Sequence, residues 1–81
     1  MRLPRDLTGR TLATLLARYY DYVLVRQSGS HLRLSTQREG LHHVTIPTGG
    51  PLRVGTLAAI LNEVADHFGI SRADLEDRLF N

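Results

Sequence analysis

Two runs of alternating apolar residues, 22–27 and 31–37, stand so close together that an antiparallel hairpin is the only simple way to join them. Ser28-Gly29 supplies a two-residue turn between them. A third alternating run, 42–47, follows the turn Arg38-Glu39-Gly40 and stops at Pro47, ahead of the Gly49-Gly50-Pro51 loop. The period of two assigns Val23, Val25, Leu32, Leu34, Val44 and Ile46 to a core face. Arg26, His31, Arg33, Ser35, His43 and Thr45 fall on the polar face. The turn sets Arg26 opposite His31, Val25 opposite Leu32 and Val23 opposite Leu34. A slip by one residue would oppose Arg26 and Arg33, a like-charge contact, so the first register is expected.

Helical spacing brackets this sheet. Thr8 is a candidate N-cap, Leu7 can staple onto Leu12, and Leu12, Leu15, Leu16 and Tyr19 recur on one helical face up to about Tyr20. Arg10, Thr14 and Arg18 form a polar, cationic stripe on the other side. A second helix opens near Gly55-Thr56 and carries Leu57, Ile60, Leu61, Val64, Ala65 and Phe68, with Gly69 as its stop. Ser71 and Asp74 resemble a capping box for a last helix bearing Leu75 and Leu79. The expectation is one α+β domain over residues 1–81: a core at 7–70 ordered α-β-β-β-α, a three-stranded antiparallel sheet with helices on one face, and an extra C-terminal helix at about 71–80. Tyr19 is expected in the core, with Tyr20 and Tyr22 partly exposed.

An 81-residue chain holds one modest core and no separate cofactor domain. The absence of cysteine excludes thiol catalysis and a disulfide scaffold. With no signal peptide or membrane span legible, a cytoplasmic location is expected. All ten cationic residues are arginine. Eight of them face three carboxylates in residues 1–58, whereas two face five carboxylates from residue 59 onward. Guanidinium forks grip phosphate in pairs of hydrogen bonds, so the basic segment suggests a polyanionic partner. Codon bias would explain the missing lysine but not this segregation.

Arg26-Gln27-x-Gly29-Ser30-His31, Val44-Thr45-Ile46-Pro47 and Leu52-Arg53-Val54-Gly55-Thr56-Leu57-x-x-Ile60-Leu61 occur in that order. Together they resemble the HicA family of toxin mRNA interferases, over roughly residues 7–70. The resemblance implies a fold like that of double-stranded-RNA-binding domains. It also implies mRNA cleavage by the histidine of the Gly-Ser-His segment, His31 here, and a HicB-like antitoxin as partner. The chain departs from the family pattern in three places. Thr48-Gly49-Gly50 stands where a histidine usually follows the third strand, Asp21-Tyr22 replaces a Gly-aromatic entry to the first strand, and the last helix lies beyond the usual end.

The chemistry of the residues points the same way. Metal-independent RNA cleavage needs a group that takes the ribose 2′-hydroxyl proton and one that protonates the leaving oxygen, and imidazole, with a reference pKa of ~6.5, suits both. Arg26 and Arg33 would meet the charge of the transition state. Arg10, Arg18, Ser30, Arg53 and Thr56 complete the expected RNA-contacting set, the last two at a helix N-terminus whose N–H groups attract phosphate. An acidic antitoxin surface would cover this face. His43 is a candidate second proton carrier on the same face, with a plain surface histidine as the simpler reading; His42 should face inward and be structural. Glu63, Asp66 and His67 lack the paired histidines of a zinc motif and read as a solvated acidic face, so no metal or other cofactor is expected. Two other functions fit the composition: a non-catalytic RNA-binding module of the same fold, and a protein-interaction domain using the acidic last helix.

Overall fold

The computed structural model describes residues 3–81; Arg2 lies outside the described residues. Its element order is α1 (Gly9–Tyr20), β1 (Val23–Ser28), β2 (His31–Thr36), β3 (His42–Pro47), α2 (Val54–Phe68) and α3 (Arg72–Phe80). The strands form one antiparallel sheet in the order β1-β2-β3. No helix among the described residues is long and apolar enough to cross a membrane.

Each helix begins and ends where local chemistry favours it. The Thr8 hydroxyl accepts from the Thr11 N–H at 3.1 Å, and the Ser71 hydroxyl accepts from the Asp74 N–H at 3.0 Å. α2 begins one residue earlier than its sequence pattern suggests, behind Arg53, which makes no side-chain cap. Its end is a Schellman turn: Gly69 sits at φ 64, its N–H returns to Asp66, and the Ile70 N–H returns to Ala65. α1 closes on Asp21 at φ 61, a left-handed position that aspartate tolerates better than most side chains.

α1 and α2 pack on one face of β2 and β3, and α3 closes the helical layer against both. Leu32 and Leu34 from β2 and Val44 and Ile46 from β3 are buried beneath Leu12, Leu16, Leu57, Leu61 and Val64. Leu75 and Leu79 seal the far side of this core. Gly9 is obligatory here, because a Cβ would lie 2.0 Å from the Pro47 carbonyl oxygen. The start of α1 is thus pressed directly on the end of β3.

Two expectations fail. First, the hairpin turn is Gly29-Ser30, with Ser28 opposite His31 and Gly29 at φ 57. The pairing shifts between Leu24 and Arg26, so Val23 opposes Ser35, Leu24 opposes Leu34, and Arg26 opposes Arg33. A β-bulge at Val25 absorbs one residue, a feature with no periodic signature. The like-charge pair is tolerated because exposed charges at this spacing repel by only about 1 kcal/mol in water. Consequently Val23 and Val25 do not reach the core; they are 60% and 55% exposed, and every β1 residue is exposed. Second, the tyrosines are distributed otherwise than expected. Tyr20 and Tyr22 are buried and Tyr19 is only half-buried, because the left-handed Asp21 turns the chain so that Tyr22 enters the core.

Candidate functional site

The outer face of the sheet, away from the helices, is read directly from the register. It carries Val23, Arg26 and Ser28 from β1, His31, Arg33 and Ser35 from β2, and His43, Thr45 and Pro47 from β3. No carboxylate belongs to it. His31 stands at the hairpin end, exposed, between Ser28 on one side and Pro47 on the other. Arg33 is two residues along the same strand. Arg26, rather than facing His31, occupies the diagonal position, within about 7–8 Å by strand geometry. The Arg33 guanidinium donates to the Thr45 hydroxyl at 3.2 Å, which holds it across the sheet. Among the described residues, neither Arg26, Arg33 nor Arg53 has an ion-pair partner; the arginines that do are Arg38 and Arg72.

The loop after β3 wraps the same end of the sheet. Its Thr48 N–H donates to the Ser30 carbonyl at 2.7 Å, and the Leu52 N–H donates to the Leu7 carbonyl at 2.7 Å. Between the loop and α2 lies a cleft of about 280 Å³ whose lining includes Ser30, Gly49, Gly50, Arg53 and Thr56. Ser30, Arg53, Thr56 and the neighbouring His31 therefore gather at one end of the molecule. The open α2 N-terminus faces this cleft, and nothing lies within 4 Å of a Cβ built on Gly55. Arg10 and Arg18 are not part of this assembly. Both are exposed on α1, where Arg10 lines a groove with Leu24, Leu32 and Leu34, and Arg18 lies 6.0 Å from the Tyr19 ring centre.

The remaining histidines do different things. His43 shares the outer face with His31 but opposes Ser35, four residues further along β2, or about 13 Å away at ~3.3 Å per residue. The two cannot act on one phosphodiester. His42 points inward as expected: its Nδ1 lies 2.8 Å from the Tyr22 hydroxyl, and its Nε2 faces Glu63 Oε1 at 3.7 Å. Its ring stacks on His67 with centres 4.6 Å apart and planes 15° from parallel. Burial, chiefly, and the His67 and His43 charges push its pKa down, while Glu63 opposes them. A neutral ring with its proton on Nε2 satisfies both contacts. Burial, seconded by Glu63, pushes the Tyr22 hydroxyl well above its usual value.

His67 is not on a solvated face. It is half-buried between His42 and Phe68, and its Nε2 lies 2.9 Å from the Arg38 carbonyl, to which it donates. Among the described residues, no three histidine or carboxylate groups converge as a metal site would require. The sequence pattern misses this knot of Tyr22, His42, His67 and Phe68, because the two histidines meet across 24 intervening residues with no local signature. No protein-family model, curated protein or solved structure matches the chain.

Proposed function

We propose that this protein is a HicA-like endoribonuclease, the toxin of a toxin–antitoxin pair, cutting mRNA without a metal through His31. The observation that carries the reading is the placement of a solvent-exposed imidazole on a carboxylate-free sheet face beside Arg26 and Arg33, which lack carboxylate partners among the described residues. Two guanidinium groups opposed across a ladder repel each other until an anion sits between them, so a phosphate there is stabilised twice over.

In the proposed reaction, His31 accepts the ribose 2′-hydroxyl proton as the 2′-oxygen attacks phosphorus. The bond to the 5′-oxygen breaks, and that oxygen takes a proton from the imidazolium or from water, leaving a 2′,3′-cyclic phosphate and a 5′-hydroxyl. Arg26 and Arg33 balance the charge gathered on the phosphoryl oxygens. The Ser30–Arg53–Thr56 cleft holds a neighbouring phosphate at the α2 N-terminus. A fold like that of double-stranded-RNA-binding domains meets RNA mainly through its backbone, in keeping with an arginine-only cationic surface. The left-handed φ of Asp21 also bears on the departure from the family pattern, since it is a conformation glycine enters freely. A HicB-like antitoxin with an acidic surface would inhibit by covering His31 and neutralising the arginines together.

The test is RNA cleavage in chelator by the purified chain and by His31→Ala. The parent should cut and the variant should bind RNA without cutting. Equal cutting by both refutes the assignment; salt-sensitive binding without cleavage by the parent makes this a binding module instead.

A further inference from the structure

We propose that the outer edge of β1 accepts an acidic, extended peptide segment as a fourth strand of the sheet. β1 is an edge strand, so one side of Val23–Ser28 has no partner strand. Val23, Leu24 and Val25 are consecutive and all more than half exposed. Soluble proteins usually guard such an edge with charges or proline, or cover it. Here the guards are the bulge at Val25 and the charge of Arg26, and neither covers Val23 or Leu24.

The helical layer stops short of this strand. α1 packs over β2 and β3, leaving a groove of about 330 Å³ in which Leu24, Leu32 and Leu34 form an apolar floor beside Ala13 and Arg10. An added strand of alternating residues would send one set of side chains into this groove and the other set to the outer face beside Arg26. Apolar side chains suit the first set and carboxylates the second, with Arg10 at the groove's rim.

Charge selects this occupant over a second copy of the chain. Arg10, Arg18 and Arg26 have no carboxylate partner among the described residues, and Asp21, the acid nearest in sequence to Arg18 and Arg26, is engaged by Arg38 at 3.6 Å. Two copies joined edge to edge would bring these arginines together, whereas an acidic segment neutralises them. The docking edge stands without the ribonuclease reading; that reading would make the occupant part of the antitoxin.

A short peptide of alternating glutamate and valine, titrated into isotope-labelled protein, tests the proposal. Amide shifts should saturate over β1 and residues 10–14, and exchange of the β1 amides should slow. Leu24→Ala, at an exposed position that leaves the fold intact, should bind about tenfold more weakly. Arg10→Glu should weaken binding to a similar degree. A block peptide of the same composition, with all valines before all glutamates, should not slow β1 exchange. Equal protection by the block peptide, absence of shifts in β1, or self-association through β1 without peptide each overturns the proposal. So does protection of the groove by a single-stranded RNA oligomer and not by the peptide. If the ribonuclease reading alone fails, the parent still binds peptide but does not cut RNA; if the docking edge alone fails, it cuts RNA but binds no peptide.

Discussion

The sheet carries histidines at both ends, and they are held in opposite ways. At one end His42 has both ring nitrogens facing partners and a ring face covered by His67. At the other, His31 is exposed, with backbone partners Ser28 and Pro47 and arginines as its charged neighbours. The first histidine is spent on structure; the second has a nitrogen available for a substrate. An exposed imidazole with no structural task, in a field of positive charge, separates a candidate catalyst from a packing residue more sharply than sequence position does.

The largest expected effect comes from removing that imidazole. His31→Ala should lower RNA cleavage by about 10²–10⁴-fold while leaving the unfolding midpoint near the parent's, since the side chain is exposed. The corresponding change at the other end, His42→Ala, should do the reverse, lowering stability and sparing cleavage. If both variants lose stability alike and neither loses cleavage, the contrast between the two ends disappears.

Gly9→Ala attacks the His31 end through the backbone. The added methyl group meets the Pro47 carbonyl, opposite His31, and one of the two elements must move. Overpacking of this kind costs about 1–3 kcal/mol, and more when backbone must shift. Denaturant unfolding measures the loss, and amide shifts should be large around His31 and Pro47 but small at His42. Tyr22→Phe is the matched change at the other end. It strips the hydroxyl from His42 Nδ1 and should cost about 1–2 kcal/mol, with shifts confined to the His42–His67 stack.

Much of this molecule was legible before its structure, and the failures have identifiable causes. The caps at Thr8, Ser71 and Gly69 are local chemistry, so sequence reveals them. Leu32, Leu34, Val44 and Ile46 alternate because helices cover their face. In β1 the same alternation misled, since no helix covers the strand and a bulge breaks its phase at Val25. Repulsion between Arg26 and Arg33 is too weak to set the register, since exposed charges at this spacing repel by only about 1 kcal/mol in water. The polar face with His31 survives the register change because β2 keeps its own period; only the identity of its opposite residue changed, from Arg26 to Ser28. The pairing of His42 with His67 was invisible, as it depends on how α2 crosses β3.

Arg33→Ala probes the electrostatics of the exposed end. Losing one phosphate-binding guanidinium should reduce the salt dependence of RNA affinity by about one unit of log–log slope, with little change in stability. Arg38→Ala is the control, because Arg38 is tied to Asp21 and the Tyr19 carbonyl at the end remote from His31. An equal change in slope for both would mean that RNA spreads over the whole surface.

The smallest effect is a pH dependence at the structural end. His42 has its pKa lowered by burial first and by its histidine neighbours second, so the native state disfavours its protonation more than the unfolded chain does. Its contribution to stability is therefore present above the unfolded value of ~6.5 and is lost as pH falls through the lower native value. Glu63 opposes the shift, and His67, His43 and Tyr22 are the other titratable groups around the ring. Unfolding midpoints measured from pH 8 downward should fall below about pH 6.5 in the parent, and the fall should be shallower in His42→Gln. A fall as steep in His42→Gln as in the parent would show that the packed histidine is not the group whose protonation destabilises the fold, and the distinction between the two ends would then rest on position alone.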